Sequence, residues 1–336
     1  MVARVRQAKE KPHVRTYIGP GKTEEVRLLA DTLDADLIIF DDDLSASQQR
    51  NLEDILGRKV LDRTALILDI FAQHAHSREG KLQVELAQLE YLLPRLTGKG
   101  IALSRLGGGI GTRGPGETKL EVDRRRIRHR IGSLKRELKH VEQNRSVQRK
   151  KREKSGVFSV SLVGYTNTGK STLLNALTDA EVLVEDKLFA TLDSTTRRLV
   201  RANNLLLVLT DTVGFIHKLP HQLVAAFRST LDEVRKADLL LHVIDASHTH
   251  MREQMRAVDA VLGEIGASGY PTVAVLNKQD LLDEEYKNNL RKQYPDAVLV
   301  SAKTGKGLDN LIKEIEQRAS AHFASASPQR RFLGKS

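Results

Sequence analysis

The 336-residue sequence contains no cysteine and no tryptophan. The first absence excludes disulfides, thiol catalysis and every cysteine-ligated metal site. The second, with aromatics at only 4%, leaves the building of cores to aliphatic residues, and a hydrophobic content of 40% suffices for that. Long apolar runs are missing too. Stretches such as 205–209 and 239–241 fall far short of the about 20 residues that span a bilayer. The first twelve residues are basic and polar, and no apolar secretory stretch follows them. These absences predict a soluble, cytoplasmic chain of about two domains, without stable membrane insertion.

Acidic residues are scarce in one place only. Lys and Arg number 54 against 43 Asp and Glu, a net charge of +11. Residues 117–154 hold 15 basic and 6 acidic residues, so +9 of that excess lies there and +2 in the other 298 residues. A concentrated basic segment predicts a polyanionic partner, with nucleic acid the leading class. The competing reading is a solvated helix face that happens to be rich in Lys and Arg.

The N-terminal part reads as a small α/β unit. Residues 16–19 form a short strand, and Gly19-Pro20-Gly21-Lys22-Thr23 lacks the spacing of a phosphate loop, so it is taken as a connector to a helix over 24–33. Residues 36–40 read as a buried strand, 46–56 as a helix, and 60–75 as a short strand followed by a helix. Two heptad-like seams follow. Leu82, Leu86, Leu89, Leu93 and Leu96 make the first, interrupted by Pro94; Leu120, Ile127, Ile131, Leu134, Leu138 and Val141 make the second. An antiparallel helical hairpin satisfies both, and a dimeric coiled coil is the alternative. The connector at 107–116 is seven-tenths Gly and Pro. Gly107, Gly108 and Gly109 with Arg105, Arg113, Arg124, Arg125, Arg126 and Arg128 make it a candidate RNA-recognition loop, against a reading as a simple hinge. The basic linker closes near residue 155. A second domain is expected over 156–318, and the Ala/Ser-rich residues 319–336 are expected to be a flexible tail.

From 157 onward strand and helix patterns alternate, the mark of a doubly wound sheet. Gly164-Tyr165-Thr166-Asn167-Thr168-Gly169-Lys170-Ser171-Thr172 fits G-x-x-x-x-G-K-[ST] between an apolar strand and a helix. In such a loop the backbone N–H groups wrap phosphates, Lys170 reaches the β- and γ-oxygens, and the Ser171 hydroxyl ligates Mg²⁺. Asp211-Thr212-Val213-Gly214 ends the next apolar strand, where the carboxylate can hold Mg²⁺ and the Gly214 N–H can contact the γ-phosphate. Asn277-Lys278-Gln279-Asp280 ends another, and the Asp280 carboxylate suits the N1–H and N2–H₂ donors of guanine, which selects GTP over ATP. Ser301-Ala302-Lys303 stands where backbone N–H groups would meet guanine O6. Between these, 188–196 reads as the first switch, with Phe189, Ala190 and Thr191, whose hydroxyl would complete the Mg²⁺ shell; Thr195 and Thr196 are rivals for that role. Lys170, Thr191 and Gly214 are thus the residues expected to act on the transferring phosphoryl. Phe215 occupies the place where many GTPases carry a water-orienting Gln, so hydrolysis should be slow without a partner.

Taken together, these motifs resemble the HflX family of translation-factor-class GTPases, relatives of the Obg family. The resemblance covers nearly all of 15–318 and is most specific at 107–121, Asp123-Arg124-Arg125, 164–172, 189–193 and 211–216. It implies a Ras-like P-loop GTPase domain after the α/β unit and hairpin. It also implies binding to the large ribosomal subunit and its rRNA, with no DNA partner, the splitting or rescue of stalled ribosomes, and GTP hydrolysis stimulated by them; the chain is expected to be a monomer. GTP and GDP as ligands and Mg²⁺ as cofactor follow. Potassium is a candidate through the likeness of Asn167 to the loop Asn of potassium-stimulated GTPases, and the location would be cytoplasmic with an option of peripheral membrane association. Lys119 departs from the Gln that the family pattern leads one to expect.

Overall fold

A computed structural model describes residues 1–8, 11–96, 119–154, 156–178, 195–199, 205–216 and 233–330. The chain divides into two compact units, Met1–Gln73 with Lys81–Leu138 and His74–Gly80 with Lys139–Ser336. The division falls within three helices, at 73–74, 80–81 and 138–139, whereas the composition changes only near 155.

The first unit contains α1 (Pro20–Thr32), β1 (Leu37–Ile39), α2 (Ala46–Leu56), β2 (Lys59–Leu61) and α3 (Arg63–His74). Strands β1 and β2 pair in parallel, and Leu44, Leu52, Leu56 and Val60 form the core beneath Ile38 and Phe40. Helix α2 has the predicted bounds because both ends are encoded locally. Ser45 and Gln48 form a reciprocal capping box, and Gly57 stops the helix in a left-handed conformation at φ 62°. The Gly-Pro-Gly segment differs from its expected role as a connector: it is the first turn of α1. Pro20 occupies the first helical position, where a missing N–H costs nothing, and Thr23 N donates to Gly19 O at 2.9 Å. In place of a strand over 16–19 there is a single bridge between His13 and Tyr17.

The two seams lie on α4 (Arg78–Leu92), the following 3-10 turn (Leu93–Arg95) and α5 (Lys119–Lys154). Leu82, Leu86 and Leu96 pack with Ile127, Ile131 and Leu134, flanked by Leu89, Leu93, Leu120 and Leu138. The seams therefore pack against each other within the chain. Pro94 converts the end of α4 into the 3-10 turn, as its missing N–H requires. That turn is anchored by Asp62, which is fully buried. Its carboxylate accepts from Arg95 Nη2 at 3.1 Å, Tyr91 OH at 2.9 Å and Leu44 N at 3.2 Å. The Arg95 guanidinium lies 3.6 Å from the Tyr91 ring centre. Burial, then the Asp62 charge, pushes the Tyr91 phenol well above its usual range.

The second unit is a six-stranded sheet in the order β4-β5-β3-β6-β7-β8. Its strands are β3 (Phe158–Val163), β4 (Thr195–Arg198), β5 (Leu207–Asp211), β6 (Leu239–Asp245), β7 (Thr272–Asn277) and β8 (Val298–Leu299). All pairings are parallel except β4 with β5. Alternate residues of β6 serve opposite cores. Leu239, Leu241 and Val243 join Leu173, Leu174, Leu311 and Ile315 on one face, while Leu240 joins Val258, Val261 and Leu262 on the other. The helices involved are α6 (Lys170–Thr178), α7 (Met251–Glu264) and α9 (Leu308–Arg330), with α8 (Glu284–Gln293) beside β7 and β8. This is the expected doubly wound sheet.

The C-terminal segment departs from expectation. Helix α9 continues to Arg330, where a flexible tail was expected from 319. The Ala-rich composition that suggested looseness is a good helix former. Ala319 is fully buried, and the Phe323 ring packs 6.2 Å from that of Phe158 at the start of β3.

Candidate functional site

The carboxyl ends of β3, β5, β6 and β7 converge, the position at which doubly wound sheets place ligands. The loop after β3 turns tightly into α6. Asn167 has φ 61° and Gly169 φ 89°, the left-handed conformations from which anion-binding backbone nests are built. A Cβ on Gly164 would overlap the Val243 carbonyl of β6, and one on Gly169 would stand 2.5 Å from Asn277 Nδ2. These glycines allow close approach of the loop to its neighbours as well as to any ligand.

Lys170 is buried, its Nζ donating to Tyr165 O at 2.8 Å and Gly164 O at 3.2 Å. Burial pulls its pKa down to about 8, and the nearby Asp211 charge opposes that shift only in part. A phosphate delivered to this loop would supply the missing negative charge. The Ser171 hydroxyl donates to Asp211 Oδ2 at 2.6 Å, which puts a neutral and an anionic hard oxygen together at the ends of α6 and β5. Among the described residues no group of three or more His, Asp or Glu side chains could hold a metal by itself. A cation here would complete its shell from the nucleotide and water. Thr212 Oγ1 donates to Leu162 O at 2.6 Å and so serves the strand.

The base-side residues show a division of labour that the motifs did not reveal. Asn277 spends both ends of its amide inside the protein: Nδ2 donates to Thr168 O at 2.8 Å, and Oδ1 accepts from Ala302 N at 3.0 Å. Asp280 Oδ1 accepts from Ser301 Oγ at 2.6 Å, and Ser301 Oγ in turn accepts from Thr304 N at 3.1 Å. Lys278 sits at φ 64° with its Nζ 2.7 Å from Asp245 Oδ2. Asp245 and His242 were not singled out from the sequence. Each lies in a run that reads simply as a buried strand, with partners far away in the chain. His242 is buried in β6, and that burial, reinforced by the Lys170 charge, pushes its pKa down to about 4.

Phe215 is 1% exposed and packs with Val163, Val234 and Leu240. Its backbone is held as well, with N donating to Gly164 O at 3.0 Å and O accepting from Thr166 N at 2.7 Å. Gly214 lies so close that a Cβ there would be 2.7 Å from Thr166 Cα. Of the first-switch residues, Phe189, Ala190 and Thr191 lie outside the described residues. Thr195 and Thr196 belong to β4, where Thr196 Oγ1 is 2.9 Å from Thr210 Oγ1.

On α5, Arg125, Arg126 and Arg128 are exposed, and Arg125, Arg126, His129, Arg130 and Ser133 line an open groove. Arg124 differs from its neighbours. It is half-buried, and its Nη2 donates to Leu96 O at 2.8 Å, which makes it a tie between the arms and removes it from the solvent-facing stripe. Arg130 also turns to the other arm, with bonds of 2.7 and 2.8 Å to Glu85. Arg105, Gly107, Gly108, Gly109 and Arg113 lie outside the described residues.

Comparison with known proteins bears on both units. Family models described as GTP-binding GTPase N-terminal, GTP-binding GTPase Middle Region and 50S ribosome-binding GTPase match residues 1–72, 74–152 and 159–278 respectively. The GTPase HflX of Caldanaerobacter subterraneus subsp. tengcongensis is 57% identical over 301 residues, 90% of this chain and 69% of that protein. The chain belongs to the HflX GTPase family. The HflX of Alkalihalophilus pseudofirmus is 51% identical over 317 residues, 94% of this chain and 74% of that protein. A GTP-binding protein of Sulfolobus solfataricus, solved in complex with GDP, is 29% identical and covers 93% of this chain and 89% of its own, with a TM-score of 0.49. As a member of the HflX family the chain is a GTP-binding GTPase. No helix among the described residues is long and apolar enough to cross a membrane.

Proposed function

We propose that this GTPase is ribosome-dependent, that it associates with the large ribosomal subunit and its rRNA as a monomer in the cytoplasm, and that it splits or rescues stalled ribosomes. The observation that carries this reading is that one chain has both a phosphate loop with its Asp211 and Asp280 edge and an exposed cationic face on α5. The family model matched by residues 159–278, described as a 50S ribosome-binding GTPase, supports the choice of partner. In the nucleotide site Lys170 and the Gly169 N–H face the phosphates, Gly214 N–H faces the γ-phosphate, and Asp280 selects guanine. The Ser171 hydroxyl and the Asp211 carboxylate suit Mg²⁺, with Thr191 completing the set; the ion would neutralise charge on the β- and γ-oxygens. Asn167, in its left-handed conformation, remains the candidate for a potassium response. On the arm, Arg125, Arg126 and Arg128 meet phosphates of RNA, assisted by Arg105, Arg113 and Gly107–Gly109 of the connector.

A second reading makes the chain a nucleotide-switched RNA-binding or assembly factor in which turnover is secondary. The burial of Phe215 favours it, since this ring cannot orient water. GTP turnover measured with and without purified large subunits distinguishes the two. Stimulation is the expected result, and its absence at every ratio would refute ribosome dependence. Subunit affinity in GDP against a non-hydrolysable GTP analogue then measures the switch, because a switch needs unequal affinity in its two states.

A further inference from the structure

The end of β6 carries a carboxylate that the motifs of nucleotide binding leave out. Asp245 is the last residue of β6, paired in register with Asn277, the last of β7, and Ala246 N donates to Asn277 O at 3.0 Å to carry the ladder one step further. Directly after Asn277 the chain takes a left-handed turn at Lys278, with φ 64°. For a residue with a long side chain that conformation is unfavourable, and the surrounding contacts must hold it. The turn sends Lys278 sideways over the end of β6, where its Nζ lies 2.7 Å from Asp245 Oδ2. The other carboxylate oxygen, Oδ1, accepts from Ser247 N at 3.0 Å and from Ser247 Oγ at 2.6 Å. Asp245 is 8% exposed and the Lys278 side chain 28%, so the anion is held inside the protein while part of the cation stays accessible.

From this geometry we infer that Asp245 is a positioning residue for guanine-nucleotide binding, acting through Lys278. Both of its oxygens have partners within the protein, so its effect on the nucleotide is exerted through Lys278. It holds the Lys278 stem as a preformed wall between the Asn277 peg and Asp280. A flexible lysine would otherwise lose rotamer freedom each time nucleotide bound. Ser247 completes the device by locking the carboxylate rotamer. The inference concerns nucleotide affinity alone and is independent of the ribosomal partner.

The test uses the full chain, with GDP and GTP as probes. Asp245→Asn keeps the shape and an acceptor for Ser247 N but removes the charge that holds Lys278. It is expected to weaken GDP affinity by about 10-fold, the scale of one charged hydrogen bond, mainly through faster release. KM for GTP should rise while kcat at saturation stays the same. Lys278→Met should weaken binding similarly, and the double variant should be no weaker than either single one, because both act through one contact. Ser247→Ala, a milder change, should show a smaller shift in the same direction. Additive losses in the double variant, or a fall in melting temperature with unchanged GDP affinity, would overturn the assignment and leave Asp245 a structural residue only.

Discussion

Lys170 and Arg128 are both cations expected to meet phosphate, and the two regions that carry them are prepared in opposite ways. Lys170 is buried, bonded to two loop carbonyls and depressed to a pKa of about 8, while Arg128 stands on the exposed face of α5. The nucleotide edge meets the desolvation cost during folding and gains a ligand-shaped cradle. The arm keeps Arg125, Arg126 and Arg128 exposed and relies on their number. Selectivity belongs to the first arrangement, and salt-sensitive capture of an extended polyanion to the second.

The largest effect that can test this contrast is at Lys170. Lys170→Ala should lower kcat/KM for GTP by about 10³-fold while leaving RNA affinity measured on ribosomal subunits within error. A loss of both would mean that the two regions are not separable. Next comes Phe215, whose burial makes it a core residue before it is anything catalytic. Phe215→Ala should destabilise the chain by about 3–5 kcal/mol in chemical denaturation, and Phe215→Gln should not raise intrinsic turnover.

His242 gives the contrast a pH signature. Its folded pKa is pushed down to about 4, whereas an unfolded His titrates near 6.5. The unfolded chain therefore takes up the proton first. Stability from this residue is complete above about pH 6.5, falls as pH drops toward 4 and is flat below that, a loss of about 3 kcal/mol at most. In His242→Leu that part of the pH dependence of unfolding should vanish; an unchanged curve would assign it elsewhere.

The smallest effects lie on the arm. Replacing Arg125, Arg126 and Arg128 together by Gln should reduce the slope of log affinity for ribosomal RNA against log salt by about 2–3. Arg124→Ala, which loses the bond to Leu96 O, should weaken binding without changing that slope. Equal slope changes from Arg124 and Arg128 would erase the distinction between tie and contact.

Legibility followed the range of the interactions. Helix α2 could be read to the residue because Ser45, Gln48 and Gly57 mark its ends within the sequence itself. The phosphate loop was equally plain, since its chemistry sits in nine consecutive residues. The heptad seams announced the paired arms because one period serves both. The N-terminus of α1 was missed because Gly-Pro-Gly reads as a turn until Gln7, twelve residues away, is seen to bond Gly19 N at 3.2 Å. Arg124 looks the same in sequence as Arg125, Arg126 and Arg128; only its angular position on α5 turns it toward Leu96. Asp245 stayed hidden for a related reason, its partner lying across a strand pair at Lys278. Ala319 and Phe323 show that composition misleads where tertiary packing decides.

The two-ended bonding of Asn277 has a consequence for redesign. One side-chain amide pegs the loop proposed to cradle phosphates to the loop proposed to face the base, through Thr168 O and Ala302 N. Anchorage and recognition are thereby separately addressable. An engineer who wants another base can vary Asp280 and Ser301 and keep the peg, and the cradle should survive the change. An unbiased screen for lost nucleotide binding would score Asn277 beside Asp280, although one is a fastener and the other a reader.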